Sequence, residues 1–337
     1  MSSITSLKHY SVLAAGLSAL LAMPGALAED RVQVIASFSI LADMVERVGG
    51  EHVEVDALVG PDGDAHVYSP RPIDARNLAE ADLVVFNGMH FEGWMERLLG
   101  AGDYEGPTVV ATEGIADQDG AAAGDDHGEH DHADHEHASH DHDEHDHAKH
   151  DHGGDDPHAW LDPRLGKTYV TNIRDGLIAA DPAHEADYRE RAQGYLADLD
   201  ALDAEIREQM AALPESTSVI TGHDSFGYFS RAYGVSFLSP AGLSTEAGPS
   251  AARMAELIEV IRANDVRALF HENMTSSALI DQLAEETRRP VAGTLYSGAL
   301  APEGEASTYI GMMRHNARVL HDALAGGDSE TQHDHEH

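Results

Sequence analysis

The sequence predicts an α/β protein of two lobes, each with a parallel-type sheet flanked by helices, joined by one long rigid backbone helix. Three observations carry this. Strand-like and helix-like patterns alternate up to about residue 115, a strand-free helical stretch runs from Leu165 to Leu213, and the alternation then restarts. Strand followed by helix, repeated, is the pattern of a parallel sheet covered on both faces.

The elements follow in order. "YSVLAAGLSALLAMPGALA", preceded by Lys8 and His9 and ending in Ala26-Leu27-Ala28, reads as a signal peptide over residues 1–28. Its apolar run is short for a membrane span and is broken by Pro24 and Gly25, so an exported chain cleaved after Ala28 is expected. The N-terminal lobe, 29–182, opens with "RVQVIASFSILADMVERVGG", apolar residues Val32, Val34 and Ile35 giving way to a helical pattern that stops at Gly49-Gly50. Then come "HVEVDALVG" as strand, "PIDARNLAEA" as helix, "DLVVFNG" as buried strand, "FEGWMERLLGA" as helix and "PTVVAT" as strand. Residues 183–213 hold the connecting helix, about 45 Å long at 1.5 Å per residue over some 30 residues. The C-terminal lobe, 214–327, repeats the alternation from "STSVITG" to a last helix "ASTYIGMMRHNARVLHDAL", and residues 328–337 form a disordered histidine-containing tail. Two such lobes on one stiff helix should hold a cleft, with ligands bound outside the carboxyl ends of the strands.

Composition narrows the chemistry. With no cysteine, neither a disulfide framework nor a thiolate metal site is possible, and any metal must be held by His, Asp or Glu. A formal charge of -39 would repel nucleic acid and anionic membranes, although much of it is concentrated between Asp117 and Asp156.

Three histidines stand apart from the rest: His66 in "GPDGDAHVYSPRP", His158 in "DDPHAWLDP" and His223 in "VITGHDSFGYF". Singly, each is an ordinary loop histidine, solvated or hydrogen-bonded. Together, two from the first lobe and its exit loop and one from the second, all facing the cleft, they point to a shared site. Three neutral imidazoles suit zinc, whereas calcium or magnesium would choose carboxylates.

On these residues the chain resembles the zinc-binding solute-binding proteins of metal ABC transporters, of the ZnuA and AztC type (cluster A-I). The motifs are "GDAHVYSP", "DPHAWLDP" and "TGHDSFGYF", with "FHENMTSS" and "TYIGMMRHN" in support. The resemblance implies that His66, His158 and His223 ligate Zn2+ between the lobes. It also implies delivery to the membrane permease of an ABC importer with its ATPase. A manganese-binding branch carries a carboxylate at the third position, so histidine at 223 points to zinc. At the fourth position the chain departs from the pattern: "TLYSGALAPEGEA" places Gly298 where the family commonly has Asp. Either water fills the gap, or Glu303 or Glu305 reaches in, or Glu272 substitutes.

An open position on a three-histidine zinc is also how catalytic sites are built. Here "HExxH" is absent, and Asp224 reads as a partner that orients an imidazole, so no enzyme is expected. "SPAGLSTEAGPS" lacks the lysine of a phosphate loop and reads as a mobile rim to the cleft. Trp94, Trp160, Met312 and Met313 read as packing residues, and His52, His90, His184, His271, His315 and His321 as structural or surface groups.

The remaining feature is the tract from His127 to His152. Eleven histidines, at 127, 130, 132, 135, 137, 140, 142, 145, 147, 150 and 152, repeat with a period of five (His127, His130, His132, His135, His137, His140, His142, His145, His147, His150, His152). That period matches neither helix nor strand, and almost nothing in it is apolar, so a disordered loop within 117–156 is expected. A charged linker needs no histidine at such spacing. With an ordinary pKa of about 6.5, imidazoles between carboxylates bind several dications weakly at neutral pH, with protons competing below about pH 6.

The reading that results is a monomeric periplasmic protein that captures Zn2+ and hands it to an ABC permease, its loop gathering metal. A zinc buffer or metallochaperone that does not dock a permease is the alternative. A periplasmic zinc chaperone is a further possible partner.

Overall fold

The computed structural model describes residues 31–115, 156–214, 217–263 and 266–325. The expected signal peptide, the histidine tract and the C-terminal tail lie outside the described residues.

The first lobe runs β1 (Val32–Phe38), α1 (Ser39–Gly49), β2 (Val53–Val59), α2 (Pro72–Ala79), β3 (Leu83–Phe86), α3 (Met95–Ala101) and β4 (Thr108–Val110). Its four strands are all parallel, in the order β2-β1-β3-β4. β1 is buried along almost its whole length, as a central parallel strand covered on both faces should be.

Two helices then lead across. Asp162 caps α4 (Pro163–Ala180), its side chain accepting from the Arg164 N–H, and Pro163 supplies the fixed φ of a first turn. α5 (Glu185–Ala211) is 27 residues long, about 40 Å at 1.5 Å per residue. Its buried residues Tyr188, Ala192, Tyr195, Leu199, Leu202, Ile206 and Met210 recur every three or four positions, which puts one stripe against α1, α4 and α9 (Tyr309–Ala325).

The second lobe repeats the winding: β5 (Ser218–Ile220), α6 (Gly227–Tyr233), β6 (Ser236–Leu238), α7 (Ala251–Ala263), β7 (Val266–Glu272), α8 (Ala278–Thr287) and β8 (Val291–Leu295), then α9. Its sheet is also parallel, in the order β6-β5-β7-β8. In each sheet the chain steps to one side of its first strand and then to the other. This leaves a switch point between β1 and β3, and another between β5 and β7.

One hydrophobic core runs through both lobes, with Phe38, Trp160, Phe229 and Tyr309 among its members. Buried hydrogen bonds reinforce it where the lobes meet. Trp160 Nε1 donates to the Ser297 carbonyl at 2.7 Å, the Tyr309 hydroxyl donates to the Trp160 carbonyl, and Leu300 N–H donates to Ser39 Oγ at 3.0 Å. Such a junction resists hinge motion because opening it would expose apolar surface and orphan buried donors.

One element departs from the sequence reading. The helical pattern "FEGWMERLLGA" becomes helix only from Met95, and Phe91–Trp94 are turn. The Glu92 side chain turns back to accept from the backbone N–H groups of Asn87 and Gly88, which bends the chain before the helix can start.

Candidate metal centre

His66 lies in the loop after β2, half-buried, with its N–H donating to Asp64 Oδ1 at 2.9 Å. His158 lies in the segment that enters a short 3₁₀ turn, Ala159–Leu161, and is fully buried. His223 follows β5 at the switch point of the second sheet and is also buried. The fold brings the three together, each offering one ring nitrogen within 4.8 Å of the others. Among the described residues, no other group of three or more His, Asp or Glu side chains is so disposed.

Two rings are fixed by carboxylates on their far side. Asp156 Oδ1 accepts from both the backbone N–H and Nδ1 of His158, at 3.0 and 2.8 Å. Glu272 Oε2 does the same for His223, at 2.9 Å each, while its Oε1 accepts from Ser225 Oγ. An Nδ1 that donates to a carboxylate leaves the Nε2 lone pair of the neutral ring facing the centre. Glycine is required before His223, because a Cβ at Gly222 would stand 2.6 Å from Glu272 Oε2.

The inward nitrogens carry the decisive geometry. His66 Nε2 and His158 Nε2 are 3.2 Å apart. Two ligands at 2.0 to 2.1 Å from one tetrahedral ion stand about 3.3 Å apart. His223 Nε2 is buried without a hydrogen-bond partner among the described residues, a costly arrangement unless something else takes its lone pair.

The electrostatics differ from ring to ring. Burial drives the His66 imidazole down to about 2, with His158 and His223 adding to the effect. Burial also lowers His158, against the opposing pull of Asp156. For His223 burial again acts downward, but the charge and hydrogen bond of Glu272, with Asp64 and Asp224, outweigh it and leave the ring above its ordinary value.

The glutamates left open as alternatives for the fourth position have other surroundings. Glu272 is engaged with His223 Nδ1 and Ser225 instead of standing among the inward nitrogens. Glu303 and Glu305 are exposed, and Glu305 pairs with Arg318 at 2.7 Å. Beside Gly298 lies the thioether of Met274, whose Sδ would be 2.5 Å from any Cβ built there. Asp224 contributes charge and its N–H donates to the Gly242 carbonyl, while Asp156 and Glu272 are the carboxylates that hold Nδ1 of His158 and of His223. Asp156, two residues before His158, was within reach of sequence reasoning because an Asx side chain often folds back onto the backbone two residues on.

Among the described residues, His52, His184, His271 and His315 are engaged elsewhere. His52 and His184 stack at 3.8 Å, and His52 pairs with Asp187. His271 pairs with Asp281, and His315 lies against the Thr294 carbonyl.

The family model for ZnuA, "Zinc-uptake complex component A periplasmic", matches residues 34–323. The chain belongs to this family. Among its relatives, the manganese-binding lipoprotein MntA of Bacillus subtilis (strain 168) is 31% identical over 307 residues, covering 89% of this chain and 92% of the relative. The iron-binding protein YfeA of Yersinia pestis is 28% identical over 287 residues, covering 84% and 83%. The solved structure of the periplasmic zinc binding protein TroA from Treponema pallidum superposes with a TM-score of 0.75 at 27% identity, covering 88% of this chain and 99% of that one. This chain is therefore a substrate-binding protein of a metal ABC transporter, which works with a permease and an ATPase, and is not an enzyme. Its relatives are named for manganese, iron and zinc, so family membership alone does not choose the ion.

Proposed function

We propose that the cargo is Zn2+, that His66, His158 and His223 hold it, and that the protein captures it in the periplasm for import. The observation that supports this best is the unpartnered Nε2 of His223, buried and set with two other imidazole nitrogens. The donor set supports zinc over manganese: three neutral nitrogens with no carboxylate among them suit a borderline ion, while manganese prefers oxygen. Solvent is the remaining candidate for the fourth position. Glu272 is bound to His223, and Glu303 and Glu305 are exposed.

An exported location suits this role, with residues 1–28 as the leader. Relatives are named lipoproteins, yet none of the 337 residues here is cysteine, so no thiol-linked lipid can be attached within this sequence. The histidine tract, in this reading, raises the local concentration of metal near the site.

Competition titration with chelators, for zinc and manganese in parallel, tests the choice of ion. A single site much tighter for zinc supports the reading, and equal or tighter manganese binding refutes it. Stimulation of a reconstituted permease's ATP hydrolysis by the zinc-loaded but not the metal-free protein separates import from simple buffering.

A further inference from the structure

The segment Asn87–Trp94, "NGMHFEGW", joins β3 to α3 and combines three features. The first is strain. Gly88, Met89 and His90 have φ of 90°, 50° and 59°, three successive residues in the left-handed region, two of them with side chains. Such backbone persists only where its surroundings hold it in place, and it collects at functional sites.

The second feature is the buried carboxylate of Glu92. It accepts from Asn87 N–H at 2.8 Å, Gly88 N–H at 3.3 Å and Ser37 Oγ at 2.6 Å. This closes the strained turn on itself and bolts it to the end of β1, across the switch point between β1 and β3. The second lobe has a counterpart, since Glu272 closes the switch point between β5 and β7 onto His223.

The third feature is what the two ends of the segment grip. Asn87 Nδ2 donates to the Pro157 carbonyl at 3.0 Å, and Trp94 Nε1 donates to the Ala65 carbonyl at 2.8 Å. Pro157 and Ala65 immediately precede His158 and His66. Between the two grips, the Phe91 ring meets His66 at 4.6 Å and His158 at 5.9 Å. The Asn87 amide is held one way round, because its Nδ2 faces the Pro157 and Gly88 carbonyls, which can only accept, while its Oδ1 accepts from the Tyr169 hydroxyl at 2.7 Å.

We propose that the Asn87–Trp94 segment is a positioning device that sets the spacing of His66 and His158, with Glu92 as its staple and Asn87 and Trp94 as its two arms. The proposal rests on the reading of those histidines as metal ligands. The segment ties the backbone just before each ring and so links two histidines, far apart in the chain, whose Nε2 atoms stand 3.2 Å apart, while Asp156 orients the His158 ring from its far side. A site spaced in advance binds its ion without first having to order two loops.

Trp94→Phe in the full chain tests this, because it keeps a ring in the core and removes the single N–H that grips Ala65. Glu92→Gln is the second variant, placing an amide where the staple must accept. The readouts are zinc affinity by chelator competition, the visible absorption of protein loaded with one equivalent of Co2+, and the melting temperature without metal. Expected are a loss of zinc affinity of about 10- to 100-fold and an altered cobalt spectrum in each variant that folds. An unchanged zinc affinity and cobalt spectrum in Trp94→Phe overturns the proposal, whatever the melting temperature does. Failure of the underlying reading looks different: His66→Ala would then keep the tight site.

Discussion

Glu272 and His223 form the most enclosed ion-pairing contact of the centre, with one carboxylate oxygen accepting from both the backbone and the ring of the histidine at 2.9 Å. It fixes which nitrogen of His223 faces inward and keeps that ring more basic than its burial alone would allow. Glu272→Gln keeps the shape and removes the charge. We expect zinc affinity to fall about 10- to 100-fold, read by chelator competition.

His223→Ala should abolish the tight site while leaving weak binding of several ions by the tract. Removal of residues 127–152 should do the reverse. Isothermal titration of both variants checks the division of labour, and loss of the tight site in the tract deletion would refute it.

Acid should weaken the metal-free fold through His66 and His158. A histidine whose folded pKa is depressed, to about 2 for His66, stays neutral while the unfolded chain takes up a proton below about pH 6.5. Its contribution is therefore whole above pH 6.5 and is lost as the pH falls below that value, and His158, also lowered, acts in the same direction. His223, raised, has the opposite sign: its contribution is present below pH 6.5 and fades as the pH climbs through its folded value. Melting temperatures of the metal-free protein between pH 7.5 and 5 should fall toward acid. The fall should be shallower in His66→Gln.

Gly298→Asp should destabilise the fold, because the new Cβ meets Met274 Sδ at 2.5 Å. The clashing atom is near the end of a flexible thioether that can shift, so the cost should fall at the low end of overpacking, about 1 kcal/mol. Denaturant unfolding should show the loss, and adding Met274→Ala should recover most of it.

The lobes and the three histidines were legible in the sequence for a physical reason. Parallel strands are short apolar runs followed by loops at their carboxyl ends, and His66 and His223 sit in such loops next to glycines and prolines. The long helix announced itself as a strand-free run of some 30 residues ending at Leu213. What the sequence concealed was pairing at a distance. Glu272 is 49 residues from His223, and nothing local marks it as a partner instead of a ligand. The turn at Phe91–Trp94 was concealed for another reason: "FEGW" reads as the first turn of the helix that follows, but the Glu92 side chain takes the backbone donors of Asn87 and Gly88, next to Met89 and His90 at positive φ. The space beside Gly298 was equally unreadable, since Met274 enters it from another strand end.

The most direct test of the central claim is zinc K-edge X-ray absorption on protein lacking residues 127–152 and loaded with one equivalent of zinc. The account predicts three imidazole nitrogens at about 2.0 to 2.1 Å and one further light atom from solvent. Fewer than three imidazoles, or a protein carboxylate completing the shell, would contradict it.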